Sequence, residues 1–363
     1  MSKITFLRTA ICTVQVSWSA IGLFLVILAL TIACSSSDDA DPVQGTNEAG
    51  MSASSWASLL ASVPNDNDPW QYAVIHDYGR ARRLKDLDPK ASDIVKKFLT
   101  EGENFGTGLP MQSVERTFGG KFGPSYAVLQ GYFGKDSLGT TLKARNRSVG
   151  TAEYRGVTVY SLDEATTVWA QISPEKVVVA RNEVPDEQGG RSRHQAAVMQ
   201  KLLDANAGRH ATLAEFPAYQ RLVVGLDSLN AVSAILTTDE FSARQFNELW
   251  LTAYGNDAMV DLVERPLLKP LEAFASGWSA DSSGTYLAVV LLNLDQESAR
   301  ENAARLTARI ETVRSFSRMR WRDYFSEWSI RTDGELVLAK LYTTDHYLYE
   351  TMLEDLENLW ATE

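Results

Sequence analysis

The chain has 363 residues, with 46 acidic against 35 basic side chains and a formal net charge of −11. A surface this acidic repels phosphate backbones and anionic headgroups, which argues against nucleic-acid binding. The cysteines are Cys12 and Cys34 alone, so everything beyond residue 34 lacks a thiol for catalysis or for a disulfide and is stabilised by core burial instead.

Residues 9–37 carry no charge, follow Lys3 and Arg8, and contain the apolar run 21–30. A basic head, an apolar middle and small residues before a cysteine are the parts of an export signal. Two readings of its far end stay open. In one, the chain is cleaved between Ala33 and Cys34, and Cys34 is lipidated and anchors the protein. In the other, the uncharged stretch stays as a membrane-spanning helix, for which roughly 20 apolar residues suffice. Both leave the bulk of the chain on the extracytoplasmic face of the cell membrane, attached through residues 1–34. Residues 35–55 have almost no large apolar side chain and read as a flexible tether, because they bury too little to offset the entropy of ordering.

Order is expected from Trp56, which shares one side of a short helix with Leu59, Leu60 and Val63; Pro64 stops it. The run Asn65, Asp66, Asn67, Asp68, Pro69 is turn-forming. Residues 72–78 read as a strand, 92–100 as a helix, and the glycine-rich 105–124 as a long surface loop. A strand at 126–133, a helix at 136–145 and a strand at 156–162 follow. Strands 167–172 and 176–181 flank the turn Ser173, Pro174, Glu175. Helix 192–205 places Val198, Leu202 and Ala205 on one face.

In the second half, 213–225 reads as a helix with Pro217 in its first turn, 230–237 as a strand and 241–253 as a helix. Strands 273–279 and 286–294 form a hairpin across Asp281 to Gly284. Helix 296–315 is the clearest element: Asp295 caps it, and Ala299, Ala303, Leu306, Ile310 and Val313 form its apolar stripe. Strands 324–331 and 335–342 form a hairpin across Thr332, Asp333 and Gly334, and 346–360 closes the chain as a helix. The order of elements repeats: 126–133, 136–145, 156–162, 176–181 and 192–205 match 286–294, 296–315, 324–331, 335–342 and 346–360. The expected fold class is α+β: two similar β-α-β-β-α units, residues 56–210 and 211–363. Their sheets are antiparallel because the turns are short, and helices cover them on one face.

The stretches Leu59 to Pro64, Val74 to Tyr78 and Tyr154 to Tyr160, with Leu213 to Tyr219 later, resemble a family of uncharacterised exported bacterial proteins. Its members carry a lipoprotein-type leader, a serine-rich tether and a repeated α+β body. The resemblance implies an envelope location, and it supplies no catalytic residue.

Motifs for chemistry are sparse. G-x-S-x-G is missing, and the stretch Phe118 to Ser125 lacks the spacing of a phosphate-binding loop. The histidines are His76, His194, His210 and His346. His346 and Glu350 share a helix face near Asp345, but zinc needs a third ligand from elsewhere. His76 and Asp77 end a strand, where capping or a hydrogen-bonded pair is expected, and Asp66 to Asp68 lacks the glycine and late glutamate of a calcium loop. No catalytic residue, metal or cofactor is expected. Two basic clusters stand out, Arg80/Arg82/Arg83/Lys85 and Arg314/Arg318/Arg320/Arg322, both read as solvated faces pairing with acids. The densest aromatic group is Trp321, Tyr324, Phe325 and Trp328. On a strand Tyr324 and Trp328 share a face, which with Trp321 makes a ligand platform for stacking. The leading expectation is a non-enzymatic envelope module binding a protein partner or small ligand. The alternatives are a solute-binding lipoprotein of a transporter and an envelope hydrolase. One large cleft between the units favours solute binding, one continuous sheet with a flat exposed patch favours protein interaction, and a polar cleft with clustered acids or histidines favours the enzyme.

Overall fold

A computed structural model describes residues 56–65, 72–84, 89–100, 105–121, 124–145, 148–162, 167–182, 191–238, 264–315, 319–343 and 357–363. In chain order these form helix α1 (Ala57–Leu60), strand β1 (Tyr72–Asp77), helices α2 (Tyr78–Leu84) and α3 (Pro89–Thr100), and strands β2 (Val114–Lys121) and β3 (Pro124–Gly131). Helix α4 (Ser137–Arg145) leads to strands β4 (Val149–Tyr154), β5 (Val157–Leu162), β6 (Thr167–Ser173) and β7 (Lys176–Asn182). Then come helices α5 (Arg191–Asn206) and α6 (Pro217–Ser228) and strands β8 (Ser233–Thr237), β9 (Leu271–Asp281) and β10 (Gly284–Asn293). Helices α7 (Gln296–Thr312) and α8 (Trp321–Tyr324), strands β11 (Glu327–Asp333) and β12 (Leu336–Tyr342) and helix α9 (Glu357–Trp360) complete the order.

The mixed α+β class and the antiparallel pairing hold, with one difference of scale. All 12 strands belong to one sheet, in the order β11-β12-β10-β9-β8-β1-β2-β3-β7-β6-β5-β4. The join is β1 beside β8, antiparallel, with Ile75 opposite Ala234 and His76 opposite Ser233. Pairing on either side of the join has the same order, β8-β9-β10-β12-β11 against β1-β2-β3-β7-β6, and β5 and β4 extend the second arm. The expected match of 156–162 to 324–331 is therefore corrected: the strand beside β7 is β6, and 157–162 belongs to a hairpin outside it. The first strand of that hairpin, β4, is not expected from the sequence: half of its residues are exposed, none is buried, and they show no apolar alternation.

Helices cover both faces of the sheet, not one. On one face, α1, α5 and α6 bring Trp56, Leu59, Leu202, Tyr219 and Leu222 onto Ile75, Val128, Val178, Ala234 and Val290. On the opposite face α7 packs Ala299, Leu306 and Ile310 on Leu287, Val289, Leu291 and Val337. There α4 sets Leu138 and Leu142 on Leu129, Val177 and Val179. The cause is legible in β10, whose residues 285–293 are all buried and whose residues 287–292 are all apolar: a strand apolar on both faces has to be covered twice.

Several boundaries also move. The glycine-rich stretch holds β2, near the middle of the sheet. Gly119 lies under the Phe105 ring, whose Cζ is 3.7 Å from where a Cβ would stand, so an aromatic from the preceding loop supplies the contact that the glycine lacks. Residues 213–225 divide into a 3-10 turn, Leu213–Glu215, and α6, which has Pro217 in its first turn. Tyr324 lies in α8 and not in a strand. As expected, Trp56, Leu59, Leu60 and Val63 are buried together, and Asp295 caps α7 by accepting a 2.7 Å hydrogen bond from Ser298 N. Residues 1–55, 241–253 and 346–356 lie outside the described residues, with the expectations placed on them. Among the described residues no helix is long and apolar enough to cross a membrane.

Candidate functional site

One group of buried polar side chains, Asp77 and Ser233 with the half-buried His76, gathers where β1 meets β8. His76 and Asp77 are adjacent on β1, and side chains alternate along a strand, so they serve opposite faces. Asp77 caps α2: its Oδ1 accepts from Arg80 N at 2.6 Å. Its Oδ2 faces the Nε atoms of Arg116 at 3.4 Å and Arg80 at 3.9 Å. Arg80 donates further to Asp227 at 3.0 Å and to the Ala231 carbonyl at 2.7 Å, and its guanidinium lies 5.9 Å from the Trp56 ring. The Asp77 side chain is 3% exposed. One carboxylate therefore ties β1, β2, α2 and, through Arg80, α6 into one join.

His76 turns to the other face. Its Nδ1 lies 2.8 Å from Ser233 Oγ, and its ring meets Phe98 edge-on at 5.3 Å and Tyr78 at 5.7 Å. Phe98 in turn stacks on Tyr78 at 4.9 Å and meets Trp278 edge-on at 5.2 Å. Burial among these rings pushes the imidazole pKa down to about 4. Serine, histidine and aspartate thus meet at one join, yet they do not form a hydrolytic triad. The Asp77 carboxylate is committed to the arginines on the far face, and Ser233 is buried at 2% exposure. A base poised near neutrality is what such chemistry needs, and this imidazole is far below that.

The sign of the pH effect follows. Because the folded pKa lies below the ordinary 6.5, the unfolded chain holds more protons between about pH 4 and pH 6.5, and stability rises with pH through that window. The His76 contribution is complete above the unfolded pKa and is lost as pH falls toward the folded one. Wild type should lose about 2 kcal/mol more than His76→Gln between about pH 7.5 and about pH 5. Urea denaturation of both proteins at the two pH values checks this, and parallel losses would refute it.

A second constellation joins a serine and a lysine. Lys176 on β7 places Nζ 2.8 Å from Ser62 Oγ and 3.1 Å from Asn206 Oδ1, and burial lowers its pKa. Asn206 Nδ2 donates to the Ser62 and Leu202 carbonyls at 2.9 and 2.8 Å. A serine beside a lysine of lowered pKa is a nucleophile arrangement, but Ser62 is fully buried and its hydroxyl donates to the Ser58 carbonyl. The cluster fastens α1 to β7 and α5. Neither Ser233 nor Lys176 was identifiable from the sequence, since each depends on a partner more than 100 residues away.

The aromatic group divides. Trp321 is fully buried beneath α7, and Phe325 stacks on it at 6.0 Å with an interplanar angle of 13°. Tyr324 packs on Trp321 at 5.4 Å, and its hydroxyl lies 3.3 Å from Ser315 Oγ. Trp328 is half-buried on β11 beside Ile330. Trp321 and Tyr324 are brought together, but both faces of the Trp321 indole are spent on the core; Trp328 stands apart on the strand.

Of the basic clusters, the first turns partly inward, Arg80 to Asp77 and Asp227 and Arg82 to Glu115 at 3.0 Å. In the second, Arg314, Arg320 and Arg322 are exposed, and Arg322 lies 3.7 Å from Asp323. Among the described residues no group of three metal-ligating side chains comes together. Cys34, His346, Glu350 and residues 66–68 lie outside them.

No family model matches the chain, and no curated protein matches it. Among solved structures it is similar to crystal form I of TP0453, at 10% identity and a TM-score of 0.42, over 83% of this chain and 97% of that one. Crystal form III of TP0453 gives 9% and 0.39 over 82% and 97%. Crystal form IV gives 10% and 0.40 over 81% and 98%.

Proposed function

We propose that this chain is an exported protein held at the extracytoplasmic face of the cell membrane by its N-terminal segment, through a lipid on Cys34. Its body is a non-enzymatic binding module of two similar units, residues 56–210 and 211–363. The charge-free residues 9–37 behind Lys3 and Arg8 support the location. The shared pairing order on the two sides of the β1–β8 join supports the two-unit reading. The observation that carries the functional reading is that join: the units meet through a strand pairing, in one continuous sheet, where a solute-binding protein places a cleft. The serines that stand beside a base, Ser62 and Ser233, are buried, and buried groups of this kind act as fasteners for the fold.

Intact mass of the membrane-extracted protein tests the location. The expected mass begins at Cys34 and includes a diacylglyceryl group and an acyl chain, and Cys34→Ser releases the protein to the soluble fraction. A mass retaining residues 1–33 replaces the lipid by an uncleaved helix. Hydrolysis of ester or peptide reporters that disappears with Ser233→Ala or Ser62→Ala would overturn the non-enzymatic reading.

A further inference from the structure

Strand β11 is the last strand of the sheet on its side. It pairs with β12 from Glu327 to Asp333 without a register shift, and among the described residues no strand pairs with its other edge. An open edge carries outward N–H and C=O groups, and proteins usually block such an edge with a proline, a bulge or an inward-pointing charge. β11 has neither proline nor bulge, and its charged residues all lie on one face. Trp328 and Ile330 share the α7 face and are half-buried, while Glu327, Ser329 and Arg331 share the other face and are exposed.

That pattern is self-complementary. When a second β11 lies antiparallel with Ser329 opposite Ser329, Glu327 of each copy faces Arg331 of the other. On the opposite face, Trp328 of each copy covers Ile330 of the other. Opposite charges and aromatic–β-branched pairs directly across a ladder are the favourable cross-strand pairs. A shift that sets Ile330 opposite Ile330 would instead bring Glu327 against Asp333, so the charges specify the register. The far edge of the sheet, β4, has Glu153 as its single charged side chain and offers no such pairing. Among the described residues Arg331 makes a long 3.4 Å contact with Ser228 Oγ, which a facing carboxylate displaces.

We propose that β11 is a homodimer interface, at which a second copy of this chain adds edge to edge around a two-fold axis at Ser329. A two-fold contact closes on itself, so it yields a dimer and not a fibre. The inference rests on the sheet edge and not on the envelope reading, and either can fail alone.

Oxidative cross-linking of the full chain tests it, because Cys12 and Cys34 are the only native cysteines and the parent chain serves as control. A residue opposite its own copy brings two Cα atoms within disulfide reach. Ser329→Cys should give a covalent dimer, and Thr151→Cys on β4 should not. Adding Glu327→Arg turns two attractions into repulsions and should lower the yield about tenfold. Adding Arg331→Glu to that chain should restore it, which excludes misfolding as the cause of the loss. Mixing the Glu327→Arg and Arg331→Glu chains should also restore it, now between unlike copies. Absence of the Ser329→Cys dimer, or a yield unmoved by charge reversal, would overturn the proposal.

Discussion

Asp77→Ala should destabilise the body by about 3–5 kcal/mol, the range for removing one partner from a buried charge pair. Two losses combine. The first is the α2 cap, where Asp77 Oδ1 accepts from Arg80 N at 2.6 Å; such caps are worth about 1 kcal/mol. The second is the counter-charge to Arg116 and Arg80, whose side chains are 20% and 17% exposed and do not recover full hydration. Arg80 keeps Asp227 and the Ala231 carbonyl, so Arg116 is the side chain left worst off. Asp77→Asn keeps an acceptor for the cap and should fall between wild type and alanine. Urea midpoints for the three proteins measure the effect, and a loss below about 1 kcal/mol for alanine would mean that the arginines find other partners.

Arg309→Met should have a comparable effect by the opposite route, loss of a donor rather than of an acceptor. Arg309 lies on α7 and is fully buried. Its Nε donates to the Leu359 carbonyl at 2.9 Å, and its Nη1 donates to the Glu264 carbonyl at 2.8 Å and to that of Pro266. Burial pulls its pKa down to about 10, with Glu264 opposing, so it stays charged at neutral pH. Methionine fills part of the volume and relieves the desolvation of the cation, but it orphans the carbonyls at about 1–3 kcal/mol each. The net loss should be about 3–5 kcal/mol. It should also be local: residues 264–268 and 357–363 hold each other through Leu268 N to the Ala361 carbonyl and Glu363 N to the Leu268 carbonyl. Hydrogen exchange at those amides should rise well before that of β10. Unchanged exchange there would show that the pairing stands without the arginine.

What could be read in advance was local. The hairpins β6–β7, β9–β10 and β11–β12 carry their own turn residues. α7 has both a cap and an apolar stripe, and the short helix at Trp56 has a proline to stop it. What could not be read depended on distant partners. β2 looks like a loop because Gly119 and Gly120 interrupt its pattern, and it is a strand because Phe105 and two neighbouring strands complete it. The α8 turn looks like the start of β11 because aromatic residues favour strands, and burial of Trp321 under α7 decides otherwise. The same burial removes Trp321 from the ligand platform expected of it, while His76 gained its partner, Ser233, only when β1 met β8.

The pairing of residues 63–65 with a segment far along the chain bears on how the chain is made. Val63, Pro64 and Asn65 are stitched to residues 211–213 by Leu213 N to the Val63 carbonyl, Asn65 N to the Ala211 carbonyl and the Pro64–Thr212 bridge. β1, which follows them, needs β8 on one side. A chain that emerges from its N-terminus therefore cannot close its first half when that half is complete. It waits with an open strand edge until residue 237 has followed, and that interval is its period of greatest exposure to wrong edge-to-edge pairing.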